Sequence, residues 1–301
     1  MILVAGGTGH LGGELIPRLM ARGTGVRILT RDPARARRRL GSSPEFVEGD
    51  VRNPDSLEIA MRGIDAVVSA ITGFGPGGDG PRSVDFEGNR NLIRVAEAAG
   101  VDRFVLLSMR GAAAGHPMEL ARMKHRAEEA LRASRLTWTI VRPTPFMELW
   151  AGIVGDPIEK AIKTTVFGSG DNAINFMAER DVAQIVELVL VEPGFERAVL
   201  DVGGPDNVSF NQLVQQVEAA TGRPAQVRHI PVPAMRLSAL LTRPFRPDLA
   251  GMIQAGIGFD TGEMRFDATE MHRRFPTIEL TRMADVVGLR FGRTGRVSNG
   301  A

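Results

Sequence analysis

The 301-residue chain has room for one large α/β body with a modest appendage, and its 43% hydrophobic and 24% charged residues are those of a soluble globule, which excludes a disordered or fibrous protein. With no cysteine and five scattered histidines, disulfides, thiolate nucleophiles and cysteine-based metal sites are excluded, and no metal is expected. A net charge of +2, a densest basic run (Arg35, Arg37, Arg38, Arg39) without interleaved aromatics, and no apolar stretch of ~20 residues argue against nucleic acid and membrane as partners; the first residues enter an apolar run at once, which predicts a cytoplasmic protein.

Apolar runs and helical patterns alternate through the first half. In chain order, strands are expected at 2–5, 25–30, 45–48, 66–70, 104–108 and 138–141, and helices at 11–21, 55–61, 84–99 and 119–133. Pro54, Gly63 and Gly100 fall where helices begin or end. Apolar strands separated by crossover helices predict a parallel sheet covered on both faces. After Pro143 the elements shorten and Gly and Pro become frequent, with a helix at 210–221 and two helical segments, 234–241 and 247–255, joined by a turn at 243–247. The expected organisation is a nucleotide-binding body at 1–145, a substrate-side cap at 146–292 interleaved with it, and a flexible tail at 293–301. No internal repeat is present.

The strongest chemical signal is Gly6-Gly7-Thr8-Gly9-His10-Leu11-Gly12, set between the first strand and the first helix. Gly6, Gly9 and Gly12 suit a tight turn, close approach of backbone to a pyrophosphate, and close packing of helix on strand. The amides of Thr8, His10 and Leu11 then face the phosphate charge at the helix start. A glycine turn that merely ends a strand is the alternative, and the strand-before, helix-after context favours the phosphate loop.

The G-x-x-G-x-x-G spacing resembles the extended and atypical branches of the short-chain dehydrogenase/reductase superfamily. The resemblance covers most of the chain and implies an α/β fold, a Rossmann-type doubly wound parallel sheet with a small C-terminal α/β cap. Asp50-Val51 looks like the family's adenine-contacting pair, and Ala70-Ile71-Thr72 like the segment that passes beside the cofactor. Ser108 stands at the family's catalytic serine position, Lys124 where its lysine grips the nicotinamide ribose, and Arg142-Pro143 resembles the Arg-Pro after the sixth strand. Asp181-Val182-Ala183, following Phe167-Gly168-Ser169-Gly170, is similar to NmrA-like NAD(P)H-binding members, and the segment 208–213 with Thr221-Gly222 adds to that likeness.

NAD-specific sites place an acid at the end of the second strand. This chain has Thr30-Arg31-Asp32-Pro33-Ala34-Arg35, and a guanidinium fork at Arg31, with Arg35 one turn on, suits the 2′-phosphate of NADP. NADP(H) is therefore expected over NAD(H); the alternative makes Arg31 a chance surface arginine and gives the ribose to Asp32.

The family's acid is the tyrosine of Tyr-x-x-x-Lys. Here that position is Leu120, and the chain contains no tyrosine. Three readings follow: Lys124 or His116 supplies the proton, the acceptor is a quinone or other conjugated compound needing little acid help, or the protein binds NADP(H) without turnover as a sensor or scaffold. Lys124 also reads as a surface lysine beside Glu128 at i+4, His116 as an exposed loop residue, and Ser108 as a strand-end hydroxyl. The glycine-rich loop 73–80 is expected to act as a lid carrying Phe74, and Phe146, Met147 and Trp150 to line an apolar pocket or, alternatively, to pack the cap onto the body. The expected function is hydride transfer from NADP(H) to a small-molecule substrate, apolar or conjugated; sugar-nucleotide epimerase or dehydratase chemistry, which needs the missing tyrosine, ranks last. No oligomer interface is legible.

Overall fold

β1 (Ile2–Ala5) is four apolar residues, all buried, as a strand covered on both faces must be. In the computed structural model, which describes residues 1–75 and 77–292, β1 pairs in parallel with β2 (Val26–Thr30) on one side and β4 (Ala66–Ser69) on the other. Pro76 of the expected lid and the expected tail at 293–301 lie outside the described residues. β3 (Glu45–Glu48) adds beside β2, while β5 (Arg103–Leu107) and β6 (Thr137–Pro143) follow β4, all parallel. With β9 (Ala198–Val202) the order is β3-β2-β1-β4-β5-β6-β9. The order reverses direction between β1 and β4, and ligands of open α/β sheets lie outside the carboxyl ends of the strands at such a point. This is the doubly wound sheet that the alternation of elements predicts.

The chain divides into two compact units. The first comprises Met1–Pro143 and Val182–Asp201. It holds the sheet and the helices α1 (His10–Ala21), α2 (Pro33–Leu40), α3 (Pro54–Ala60), α4 (Asn89–Ala98) and α5 (Glu119–Arg132), together with most of α7 (Glu179–Val191). Leu3, Val67, Phe104 and Ile140 of the strands pack on Leu92 and Leu131 of α4 and α5 in one core cluster. Two of the helices depart from the pattern-based expectation. α2 is absent from the helices expected on apolar spacing, because its sequence PARARRRL has no apolar stripe and buries only Ala36; its basic run reads instead as a solvated helix face, which the structure bears out. The expected helix at 84–99 begins as a π-helical segment, Arg82–Gly88, before α4. Asn89 Nδ2 donates to the Asp85 carbonyl at 2.7 Å, and a side chain that takes the i-to-i+4 acceptor pushes the backbone ladder out to i+5.

The second unit comprises Thr144–Asp181 and the chain from Val202 onward. It contains α6 (Met147–Glu159), β7 (Thr164–Phe167), β8 (Ile174–Asn175), β10 (Asn207–Val208), α8 (Phe210–Thr221), β11 (Val227–Ile230), α9 (Val232–Thr242), α10 (Pro247–Thr261), α11 (Thr269–Arg274) and α12 (Met283–Phe291). β7 pairs with β11 in parallel, and β8 with β10 antiparallel. A capping box of Ser209 and Gln212 starts α8, and Gly222 at φ +67° ends it. α10 runs past residue 255, where the expected segment stops. Its Gly256 is needed because a Cβ there would come 2.8 Å from the Phe167 ring. Among the described residues no helix is long and apolar enough to cross a membrane.

Candidate functional site

The loop between β1 and α1 is tied by backbone bonds from Gly9 N to Gly6 O at 2.9 Å and from Gly13 N to Gly9 O at 3.1 Å. Gly6 has φ +87°, and a Cβ on it would lie 2.4 Å from the carbonyl oxygen of Ala70. A Cβ on Gly12 would lie 2.2 Å from the Gly7 oxygen. These positions therefore exclude side chains on steric grounds, and Ala70-Ile71-Thr72 is pressed against the loop. α1 has no side-chain cap at Gly9 and no acid in its first turn, so its leading amides and the positive end of its dipole are available to an anion. Leu11 is buried beneath this turn, while Thr8 is half-buried and His10 exposed. Arg39 of α2 donates to the Thr8 oxygen at 2.8 Å, which adds a cation to the loop.

At the ends of β2 and β3 lie five charged groups. Asp32 caps α2, with Oδ1 accepting from Arg35 N at 2.8 Å. Arg35 itself is exposed on the first turn of α2. Arg52 donates to Asp50 through Nε and Nη2, at 3.0 and 2.6 Å. These hydrogen bonds hold the Asp50 carboxyl below the usual range, against the opposing effect of burial. Val51 is half-buried with its carbonyl bonded to Asn91 Nδ2 at 3.0 Å. Asp79, in the loop after β4, is bridged by two arginines: Arg31 Nη1 reaches Oδ2 at 2.8 Å and Arg52 Nη1 reaches Oδ1 at 2.7 Å.

Behind the carboxyl ends of β4 and β5 the unit is polar inside. The buried Lys124 ammonium lies 2.9 Å from Ile71 O, 3.0 Å from Leu107 O and 3.0 Å from Asp85 Oδ1. The two carbonyls accept hydrogen bonds from the ammonium, and Asp85 stands beside it as the opposite charge of a buried ion pair. Asp85 Oδ2 accepts from Gly73 N at 2.8 Å, so the ion pair also fixes the root of the loop 73–80. Ser69 Oγ donates to Asn89 Oδ1 at 2.6 Å in the same layer.

The reading of Lys124 as a surface residue paired with Glu128 is corrected, because both side chains are buried and each has other partners. Glu128 takes Arg142 at 2.7 and 2.5 Å, Arg132 at 2.9 Å and the Ser108 hydroxyl at 2.5 Å. Burial pushes the Glu128 carboxyl up, but the hydrogen bonds from Arg142 and Ser108 and the two arginine charges outweigh it and hold it below the usual range. Arg142 and Pro143 belong to β6 itself, not to a segment after it, and the Pro143 oxygen accepts from Arg110 N at 2.9 Å.

His116 is half-buried, and its Nδ1 accepts from Met118 N at 3.1 Å just ahead of α5. Burial lowers its pKa, which keeps the ring neutral and an acceptor. Phe74 is half-buried in the loop of the first unit, and Phe146 half-buried in the second. Met147 and Trp150 are core residues of the second unit: the Trp150 ring lies 4.5 Å from Phe259 and 5.2 Å from Phe210. Both side chains pack inside that unit.

Sequence reasoning missed Arg39, Arg52, Asp79, Asp85, Asn89 and Glu128. Asp79 alone carried a local signal, as the one charge in an otherwise apolar and glycine-rich loop. Among the described residues no group of three or more His, Asp or Glu is placed to hold a metal.

Residues 6–192 match the model of a family described as NAD(P)H-binding. The chain is similar to an NAD(P)H azoreductase of Xenophilus azovorans, 30% identical over 77% of each protein. It is also similar to a photosystem II assembly factor of a Synechocystis strain, 29% identical over 81% of this chain and 75% of the relative. Its fold matches that of an NADPH-dependent quinone oxidoreductase of Escherichia coli in complex with NADPH, with a TM-score of 0.77 at 23% identity, covering 95% of this chain and 98% of that one.

Proposed function

The chain belongs to the NAD(P)H-binding family, and from that premise we propose that it is an NADP(H)-dependent oxidoreductase whose acceptor is a small conjugated compound such as a quinone or an enone. The observation that carries the reading is the engagement of Lys124. Its ammonium donates to Ile71 O and Leu107 O and is the cation beside the buried Asp85 carboxylate, so giving up a proton would leave that carboxylate without its cation. Leu120 replaces the usual acid, and His116 is kept neutral by burial. Acceptors whose reduced oxygen is stabilised by conjugation need no strong acid from the protein, and the proton then comes from water. The azoreductase and quinone oxidoreductase likenesses support an acceptor of this kind.

The residues present fit the cofactor. When bound, NADP(H) supplies the hydride. The amides around Gly6, Thr8, Gly9, His10, Leu11 and Gly12 hold its pyrophosphate, with the helix dipole and Arg39 opposing the charge. Asp32 is committed to capping α2, which favours Arg31, with Arg35, as the group that meets the adenosine ribose, and hence NADP(H) over NAD(H). Asp50 and Val51 border the adenine. Ile71, Thr72, Ser108 and Pro143 border the nicotinamide end, and Phe74 offers an apolar surface there. Lys124 acts here as a positioning residue that fixes the Ile71 and Leu107 carbonyls.

A second reading, NADP(H) binding without turnover as a sensor or scaffold, is favoured by the likeness to the assembly factor. Purified protein mixed with NADPH and a panel of quinones, enones and azo compounds separates the two. The proposal expects acceptor-dependent loss of nicotinamide absorbance, and binding of NADPH without oxidation by any acceptor supports the second reading.

A further inference from the structure

The bridge at Asp79 is not explained by hydride transfer. Arg31 follows the last residue of β2, and Arg52 lies four residues beyond the end of β3; Thr30 and Glu48 are direct partners across these two strands. The parallel register thus brings both guanidiniums to one edge, on the side of the sheet where ligands lie. Arg52 is held in place by Asp50, which engages Nε and Nη2 and leaves Nη1 directed at Asp79. Each Asp79 oxygen meets a different arginine, Oδ1 with Arg52 and Oδ2 with Arg31. That is the arrangement of a receptor for an oxyanion with more than one acceptor oxygen.

A phosphate monoester has three such oxygens and close to two negative charges, so it fits two guanidiniums better than a carboxylate does. We infer that Arg31 and Arg52 together form the receptor for the 2′-phosphate of NADP(H), and that Asp79 is a built-in competitor for it. The inference rests on the NADP(H) reading above and deepens it: Arg52 becomes a second specificity residue, and Asp79 sets how strongly the phosphate is preferred. NADP(H) must displace Asp79 from both arginines, whereas NAD(H), with no 2′-phosphate, leaves the bridge in place.

The arginines are 67% and 41% exposed and Asp79 is 35% exposed, so the bridge is screened by water and the exchange is easy. Each exposed pair is worth about a two- to fivefold factor in an equilibrium. Removing the competing charge is therefore expected to tighten NADPH binding by about fivefold. Removing one of two charge-assisted phosphate ligands is expected to weaken it by about tenfold or more.

The test is titration of NADPH, NADH and adenosine 2′,5′-bisphosphate against the wild type, Asp79→Asn, Arg52→Gln and the double variant, with a melting curve for each. The expected result is tighter NADPH and bisphosphate binding in Asp79→Asn, weaker binding of both in Arg52→Gln, and NADH within about twofold throughout. The gain from Asp79→Asn should shrink in the Arg52→Gln background, because half of the receptor is already gone. Equal changes for NADPH and NADH, or no change for NADPH in either single variant, overturns the inference. Arg31→Ala run alongside separates the two levels: equal weakening of NADPH and NADH there sinks the NADP(H) reading itself. Selective weakening by Arg31→Ala with silent Arg52 and Asp79 variants leaves that reading standing and removes only the shared receptor.

Discussion

Replacing Lys124 by methionine is expected to act on stability before it acts on chemistry. The substitution keeps most of the side-chain volume, so no large cavity forms, but it removes the cation beside Asp85, a residue with no exposed surface. The Ile71 and Leu107 carbonyls also lose their donor. Breaking a buried pair from one side costs about 3–5 kcal/mol, since the remaining charge stays in low dielectric. For a unit of this size that is a fall of roughly 6–20 °C in melting temperature. The double variant Lys124→Met with Asp85→Asn carries no lone buried charge, and its amide still offers an oxygen to Gly73 N. It is expected to recover most of the loss. Urea unfolding of the wild type, both single variants and the double variant gives the coupling directly. A cost below about 1 kcal/mol for Lys124→Met, or a double variant no more stable than that single variant, refutes the account of Lys124 as a buried clamp.

Three further outcomes follow from the geometry. Arg31→Ala should weaken NADPH by about ten- to a hundredfold while leaving NADH nearly unchanged, as read by fluorescence titration. Gly12→Ala places a Cβ 2.2 Å from the Gly7 oxygen, so NADPH binding should be lost and the melting temperature should fall. Glu128 has a folded-state pKa below its unfolded value, so its contribution is fully present above the unfolded value of about 4.3 and is lost as pH falls through the lower, folded one. The wild type should therefore lose stability on acidification below about pH 4, and Glu128→Gln should be less stable at neutral pH with a flatter acid limb in melting-temperature measurements.

The sheet was legible because parallel strands buried on both faces carry near-continuous apolar runs, and β1, residues 66–68 of β4 and 104–107 of β5 read that way. The phosphate loop was legible because steric exclusion at Gly6 and Gly12 permits only glycine. α2 was legible only as a solvated basic helix face, since a helix that buries one alanine carries no apolar periodicity. Lys124 and Glu128 do share a helix face, as their spacing shows, but spacing alone does not tell a solvated face from a buried one whose charges have partners elsewhere in the chain. Those partners are remote: Asp85 and Ile71 for Lys124, Ser108 and Arg142 for Glu128. Asp79 meets arginines 48 and 27 residues away, through a loop whose path no periodicity encodes. Trp150 and Met147 were open to two readings because aromatic and apolar side chains look alike in a pocket wall and in a core.

Acceptor-dependent oxidation of NADPH is the most direct measurement, with NADH run in parallel and quinones, enones and azo compounds as acceptors. The account predicts steady oxidation with at least one conjugated acceptor, faster with NADPH than with NADH at limiting cofactor. Tight NADPH binding with no oxidation by any acceptor of the panel contradicts it.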